Sequence, residues 1–388
     1  MGILKTQLWE PADLNRPASA DLLRVIATAA VGWFHIWQQS WVGGGALDHW
    51  PRSGAAFVDV LVMLSAFCLF LPYANAAAGG GQMPAVTPLA FYRRRAVRIL
   101  PSYWVNLLAS LLICLLWRGG WNADLGIDLA AHLTLTQMFF PQAYTAAQLN
   151  GVTWTLTVFA LFYLVFPLLV RTLRRAPVQT LAVLLAIQWI WSVRTLDCYG
   201  TAAYAGLFNQ FPAFCGVFAV GFGAAYALAY LGRCPVLQTR SARVTFTLLG
   251  LATLYGLDRL ALWQSRAAEY QRFQLLDRMP LALTAAAMMV CLGLGVTLPL
   301  RGVLRWLSGI SFNFYLWHQM LAVFLKYDLH LPAWSGDTPP NQLGDTAWMN
   351  RANLLYWAVA FGAAVFFTYA VERPAARALK GRRHAASR

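Results

Sequence analysis

The chain has 388 residues, of which 59% are hydrophobic and only 12% are charged, whereas soluble domains carry roughly 25% charged residues. This composition excludes an ordinary soluble globular protein and indicates a polytopic membrane protein with about ten spans of about 20 residues each. The formal net charge of +15 would suit a nucleic-acid-binding protein. However, the basic residues cluster between apolar segments, which indicates membrane topology instead.

We predict an all-α fold with about ten transmembrane helices. If the N-terminus is cytosolic, most Lys and Arg residues fall in cytosolic loops and most acidic residues fall outside, as the positive-inside rule requires. Both termini are therefore predicted to be cytosolic, and the basic excess reflects topology and attraction to anionic lipid rather than nucleic acid. In chain order, the predicted spans are 20–42, 55–75, 98–117, 152–171, 177–194, 204–230, 243–263, 279–299, 303–327 and 351–371.

These spans predict a simple domain organisation. Residues 1–19 form a cytosolic N-terminal segment, residues 20–375 form one transmembrane domain, and residues 376–388 form a basic cytosolic tail.

The first predicted span contains two ionisable residues in an otherwise apolar segment, Arg24 and His35. Eleven helical residues make about three full turns, so both side chains lie on one face, about 16 Å apart along the axis. An ionisable residue inside a membrane span is costly and marks a functional site by default. The alternative is that Arg24 reaches the lipid headgroups and His35 is hydrogen bonded within the helix bundle.

The second span places a carboxylate, Asp59, near its outer end. His35 lies in the outer half of the first span by the same topology, and a short outer loop joins these antiparallel helices. We therefore expect Asp59 and His35 to lie at similar depth, where a carboxylate can orient an imidazole and strengthen it as a general base. The alternative is that Asp59 is solvated at the membrane boundary.

Four arginines crowd the cytosolic start of the third span, in R-R-R-A-V-R at 93–98, and Pro101 fits the first turn of a helix there. Arg95 and Arg98 lie three residues apart on one helix face, at an N-terminus whose dipole favours anions. Guanidinium groups bind phosphates bidentately, so these two residues are candidates for binding a phosphorylated cytosolic ligand. Positive-inside anchoring is the simpler explanation.

The fourth and ninth spans carry the remaining candidate residues. Trp154 and Tyr163 are placed to line an acceptor site, although aromatic residues near an interface commonly form the aromatic belt. The ninth span, I-S-F-N-F-Y-L-W-H-Q, is unusually polar and contains Tyr315 and His318. His318 fits a site residue and, equally, a hydrogen-bonding contact between helices.

No sequence pattern indicates a metal site. The cysteines have no C-x-x-C spacing, so we predict neither disulfides nor zinc. Glycine-rich phosphate loops, G-x-S-x-G and H-E-x-x-H are also missing. Any chemistry must therefore be assembled from polar residues on several spans.

Six segments resemble, in order, the motifs of the acyltransferase-3 family of bacterial integral-membrane acyltransferases. Arg24 and His35 match its Arg-x10-His pattern. The other five segments are 57–67, similar to F-x-D-x-F-F-V-L-S-G-F; 93–104, similar to R-x-x-R followed by proline and aromatics; 150–167, similar to W-S-L-x-V-E-x-x-F-Y-L-x-x-P; 310–318, similar to I-S-Y-S-x-Y-L-x-H; and 371–374, similar to I-E-R-P.

Two of the departures from these motifs concern charge and packing. Phe159 stands where many members have the glutamate of W-S-L-x-V-E, so any role of that carboxylate is absent or moved to another residue. Ala66 replaces the glycine of L-S-G-F, which indicates a change in packing.

The resemblance implies transfer of an acyl group, most often acetyl, from cytosolic acyl-CoA to a hydroxyl of an extracytoplasmic sugar at the bacterial plasma (inner) membrane. Acyl-CoA is then a co-substrate, and no permanently bound cofactor is implied. The expected partners are a carbohydrate acceptor and the lipid bilayer, and the oligomeric state is left open. Arg95 and Arg98 would bind the donor phosphates with help from Arg24, and His35, tuned by Asp59, would deprotonate the acceptor.

Two other functions fit the same residues. A transporter or flippase for a lipid-linked sugar would explain ten spans and intramembrane charge, but no internal repeat or symmetric pair of broken spans supports it. A catalytically inactive family member acting as a membrane interaction protein is suggested by Phe159. Retention of Arg24, His35, Arg95 and Arg98 argues against the inactive member.

Overall fold

The computed structural model describes residues 13–378, and within this range it contains helices, turns and loops but no β-strand. Ten long helices of the described chain overlap the ten predicted spans. They are α1 Ala18–Ser40, α2 Phe57–Ala78, α3 Pro88–Trp117, α4 Thr155–Arg175, α5 Pro177–Asp197, α6 Cys215–Leu231, α7 Arg240–Ser265, α8 Tyr270–Leu294, α9 Arg301–Val323 and α10 Thr346–Phe367. Their bounds differ from the predicted ones by up to about ten residues for α3, α6 and α8.

Short elements connect or extend these helices. The π-helical segments Phe324–Asp328 and Thr368–Glu372 continue α9 and α10. A helix at Ala123–Thr134 lies in the segment between α3 and α4. The other short helices are Gly45–Leu47, His49–Ser53, Gly54–Ala56, Gln137–Phe139, Pro141–Tyr144, Gly151–Trp154, Ala202–Leu207, Phe211–Phe214 and Pro235–Gln238.

Six helical stretches of residues 13–378 are long and apolar enough to cross a membrane. The predicted all-α, polytopic membrane fold is therefore confirmed. Four long helices fall below this criterion, namely α1, α5, α7 and α9. That these four cross the membrane stays a prediction, as does the cytosolic position of both termini. Most of the predicted terminal segments, 1–12 and 379–388, lie outside the described residues. The six stretches are Gly45–Ala78, Pro88–Trp117, Gly151–Arg175, Phe211–Leu231, Tyr270–Leu294 and Thr346–Ala378.

Helix α3 begins at Pro88, well before the predicted start of its span at residue 98. Pro88 occupies the first turn, and the predicted position of Pro101 is wrong because Pro101 lies inside the helix. Arg95 and Arg98 are therefore more than one turn beyond the N-terminus. Since the helix dipole acts mainly within the first turn, the dipole contribution predicted for these two arginines is also wrong. The arginines interrupt the apolar pattern, so the predicted boundary falls after them, whereas the helix continues through them.

The chain divides into two compact units. Unit 1 contains the described residues up to Val31 together with Arg52–Val86 and Phe166–Ser308. Unit 2 contains Gly32–Pro51, Thr87–Val165 and the described residues from Gly309 onward. Helices α1, α4 and α9 contribute residues to both units.

Helix α2 forms the centre of unit 1. It is buried on nearly all sides, as expected for a helix that is apolar around its whole circumference. Helix α6 packs against α2, α5 and α8, and α7 packs against α8. Phe70 of α2 makes edge-to-face contacts with Phe222 and Tyr226 of α6, with ring centroids 5.3 and 5.0 Å apart. Aromatic packing therefore stabilises the α2–α6 contact.

Gly221 allows the close approach of α2 and α6. A Cβ atom at this position would clash with the Met63 carbonyl oxygen and lie 2.8 Å from the Ala66 Cβ. Ala66 is the position where the sequence departs from L-S-G-F. The glycine on α6 provides the space for this alanine methyl on α2.

The core of unit 2 joins α3, α4, α9 and α10. Tyr103, Leu156, Leu316 and Trp317 are buried in one apolar cluster. Trp317 stacks on Phe367 with ring centroids 3.9 Å apart. This cluster places the polar residues of α9 inside the helix packing.

A buried polar chain holds the segment between α3 and α4. His132 Nδ1 lies 2.8 Å from Asp128 Oδ1, and His132 Nε2 lies 3.0 Å from Thr153 Oγ1. This order of carboxylate, imidazole and hydroxyl is also that of a hydrolase triad. However, the Thr153 hydroxyl donates to the Asn150 carbonyl oxygen at 2.7 Å, and Thr153 is fully buried. These buried contacts therefore serve to hold the segment between α3 and α4 in place.

Candidate active site

Within unit 2, α1 and α9 lie side by side in the same direction, because residue numbers rise together along their contacts. A Cβ atom at Gly32 would overlap the Phe314 ring, so this glycine permits the close approach. Parallel neighbours agree with the predicted topology, in which both helices start from the cytosolic side. The successive contacts are Gly32 with Phe314, His35 with His318, and Gln39 with Lys326.

The central contact is a hydrogen bond between two histidines, with 3.0 Å between His35 Nδ1 and His318 Nε2. His318 Nδ1 lies 3.1 Å from the Phe314 carbonyl oxygen and 2.8 Å from that of Tyr315. Because carbonyl oxygens only accept, His318 Nδ1 carries a proton and donates. A neutral His318 avoids the cost of a buried charge and accepts at Nε2.

This hydrogen bond sets the tautomer of His35. When His35 Nδ1 donates to His318, His35 Nε2 is left as the nitrogen with the lone pair, the form required of a general base. His318 is fully buried, whereas His35 is partly exposed. His35 is therefore the accessible member of the pair, and His318 is the buried one.

His35 and Asp59, which we predicted to form a pair, each have a different partner. His35 contacts His318 in unit 2, and Asp59 contacts Arg278 in unit 1. In unit 1, Arg278 Nε donates to Asp59 Oδ2 at 3.2 Å, and both side chains are buried. Arg278 also donates to Asn209 Oδ1 at 3.0 Å, and its guanidinium lies 4.2 Å from the Phe214 ring centroid. A buried guanidinium requires a carboxylate partner, and Asp59 supplies it.

Arg24 is half-buried in unit 1 rather than extended along the helix surface. Its guanidinium donates to Ser308 Oγ at 3.2 Å and to Cys68 Sγ at 3.3 Å. These contacts connect α1 with α9 and α2.

Three of the motif segments meet in unit 2, namely those on α3, on α9 and after α10. The segment Thr368–Glu372 packs against α3. Asn313 Nδ2 of α9 donates to Glu372 Oε2 at 2.9 Å, and the Glu372 carboxylate interacts electrostatically with Arg98. The V-E-R-P glutamate therefore connects the ninth helix with the arginine cluster.

Arg95 borders an apolar cavity of about 150 Å³ within unit 2. Its guanidinium lies 5.9 Å from the Phe91 ring centroid. Phe159 forms part of the cavity wall and stacks on Tyr163, with ring centroids 6.2 Å apart. The position where many relatives have glutamate is therefore apolar here. The cavity is lined by Tyr92, Arg95, Ala96, Ile99, Leu100, Leu135, Leu156, Phe159, Ala160 and Tyr163.

The other two predicted lining residues have structural contacts in unit 2. The Tyr315 hydroxyl donates to the Val152 carbonyl oxygen at 2.9 Å and accepts from Thr155 Oγ1 at 3.1 Å. Trp154 makes an edge-to-face contact with Tyr144 at 6.1 Å. Tyr315 thereby fixes the turn that precedes α4.

Sequence reasoning missed Arg278 and Lys326. Arg278 lies one residue before the predicted eighth span, in a predicted loop, but the structure places it within α8. Lys326 is buried, donates to the Gln39 carbonyl oxygen at 2.8 Å, and lies 6.0 Å from the Trp348 ring. Its place inside the predicted ninth span was a usable signal, since ionisable residues in a span mark sites.

The chain matches the family described as Acyltransferase domain (Acyl_transf_3) over residues 18–373. Acyltransferase MdmB from Streptomyces mycarofaciens is 33% identical over 180 residues, which are 44% of this chain and 43% of that protein. Nodulation protein 10 from Rhizobium leguminosarum bv. viciae is 28% identical over 170 residues, which are 40% of this chain and 44% of that protein. These matches thus span less than half the length of either relative.

No solved structure matches the chain significantly. The family match, in contrast, runs from the start of α1 to the end of the π-helical segment after α10. The protein therefore belongs to the acyltransferase-3 family of membrane proteins.

Proposed function

We propose that this protein transfers an acyl group from acyl-CoA to a hydroxyl of an extracytoplasmic glycan or related acceptor, at the bacterial plasma membrane. Acetyl is the acyl group that we expect. The observation that carries the proposal is the His35–His318 hydrogen bond, because it holds a partly exposed imidazole in the tautomer of a general base.

The chemical step follows from this geometry. His35 Nε2 takes the proton of the acceptor hydroxyl while the hydroxyl oxygen attacks the thioester carbonyl carbon. The new ester C–O bond forms as the C–S bond breaks, and the leaving thiolate takes the proton back from His35. A positioned base contributes roughly 10²–10⁴-fold to such a reaction.

The proposed donor site uses Arg95 and Arg98 to bind the phosphates of CoA. Guanidinium groups suit this role because they donate bidentately to phosphate oxygens. Arg24 is a further candidate for donor binding, and Trp154 and Tyr163 are candidates for the acceptor side. Asp59 enters the proposal as the counter-ion of the buried Arg278 in unit 1, and no longer as the partner of His35.

The test is release of free CoA from acetyl-CoA by the full-length protein in nanodiscs, with and without a crude cell-envelope glycan fraction. We expect His35→Ala to reduce turnover by roughly 10²-fold or more. His330→Asn is the matched control, because asparagine tolerates the positive φ of 50° at this position. Absence of acetyl-CoA binding to the wild type would contradict the proposal and favour transport or an interaction role.

A further inference from the structure

A small basic pocket lies in unit 1 beside the start of α1. Its volume is about 50 Å³, several times the roughly 10–15 Å³ that one water requires. The pocket contains neither Arg24, Arg95 nor Arg98. Its charged wall consists of Arg16, Arg243, Arg301, Arg305, Asp13 and Asp21.

The charge of this wall favours an anion. Four positive and two negative side chains leave a formal charge of +2. Asp13 Oδ1 accepts from the backbone amides of Asn15 and Arg16 at 3.1 and 3.0 Å. Asp21 pairs with Arg16 at 3.4 Å. Both aspartates thus have contacts within the loop and first turn, and the remaining arginines come from α7 and α9.

Ser19 provides an independent indication of a ligand. It lines the pocket and is 1% exposed, and its hydroxyl has no hydrogen bond partner among the described residues. A buried polar group without a partner is destabilising. Gly293 faces it, since a Cβ atom there would lie 3.1 Å from Ser19 Oγ. The unpaired hydroxyl therefore lies against Gly293, another residue of the pocket wall.

Two helices also begin at this pocket. Ala18 and Ser19 belong to the first turn of α1, Arg301 begins α9, and all three line the pocket. Helix N-termini favour anions, because their first amide groups lack acceptors within the helix.

We propose that this pocket binds a phosphate group of an anionic ligand. Free phosphate, a phosphate of CoA and the headgroup phosphate of an anionic lipid share this chemistry. The inference does not rest on the proposed function, because its residues take no part in the acyl transfer described above.

The experiment measures binding to the full-length protein in phosphatidylcholine nanodiscs. Inorganic phosphate and CoA are titrated by calorimetry, and retention of added phosphatidylglycerol is measured by native mass spectrometry. The variants are Arg305→Gln and Ser19→Ala, and the control is Arg174→Gln, an exposed arginine of unit 1 outside the pocket.

We expect binding of at least one probe to weaken about tenfold or more in Arg305→Gln and about threefold in Ser19→Ala, because one charged and one neutral hydrogen bond are lost. Arg174→Gln should bind like the wild type. The probe that responds identifies the source of the phosphate. If all three probes bind both variants as they bind the wild type, or if Arg174→Gln weakens binding equally, the pocket is not a phosphate site.

Discussion

His35 and His318, 283 residues apart in the chain, share a hydrogen bond of 3.0 Å between their ring nitrogens. One histidine is partly exposed and the other is fully buried. The buried ring is itself held by backbone carbonyls of its own helix. In the proposed mechanism, a neutral histidine thus takes the orienting role that a carboxylate has in many hydrolases.

The first prediction separates the roles of these two histidines. His318→Ala should lower kcat about tenfold to a hundredfold, because His35 loses the acceptor that sets its tautomer. The KM for acyl-CoA should stay unchanged. His318→Gln keeps a side-chain acceptor and should retain most of the activity. Steady-state CoA release measures both parameters, and an equal loss in both variants would indicate that His318 acts in another way.

The second prediction concerns the buried pair of Asp59 and Arg278. Asp59→Asn should destabilise the protein by about 3–5 kcal/mol, because it leaves a buried guanidinium without a counter-ion. The double variant Asp59→Leu/Arg278→Met removes both charges and should recover most of the loss. Thermal unfolding in detergent measures these differences.

A surface ion pair at the start of α8, the helix that contains Arg278, provides the control for these variants. Arg272 pairs with Glu269 at 2.9 Å, and both side chains are about half exposed. Arg272→Gln should change stability by less than about 1 kcal/mol. If the double variant is stable but inactive, Asp59 or Arg278 has a direct role in catalysis and the purely structural assignment is wrong.

The third prediction tests the donor site on α3. Arg98→Ala should raise the KM for acyl-CoA about tenfold or more with a smaller effect on kcat, because a charge-assisted contact to phosphate is lost. Arg94→Ala removes an exposed arginine from the same segment and should leave KM nearly unchanged. Equal effects of the two variants would show that the cluster acts only through its overall charge.

The fourth prediction concerns the buried contact between Asp128 and His132 in the segment between α3 and α4. Asp128→Ala should destabilise the protein and increase hydrogen exchange in residues 118–151, because it removes the carboxylate from the buried His132. Asp124→Ala, an exposed residue in the first turn of the same helix, should have little effect. Unchanged exchange in Asp128→Ala would contradict the structural role.

Local sequence determined the helices and the family. Apolar segments of about 20 residues need no knowledge of their neighbours to be recognised, because hydropathy along the chain reports membrane burial directly. The order of six short motifs likewise depends only on the linear chain. The boundaries were less accurate, as the start of α3 at Pro88 shows, because a helix can continue beyond its apolar part.

Only the tertiary structure decided which side chains meet. The sequence placed Asp59 and His35 at similar depth, but depth does not determine which faces of two helices turn toward each other. Asp59 pairs with Arg278 from a helix more than 200 residues away, and His35 pairs with His318 because α1 and α9 pack in parallel. Such pairings depend on helix rotation and on contacts distant in sequence, and hydropathy carries information about neither.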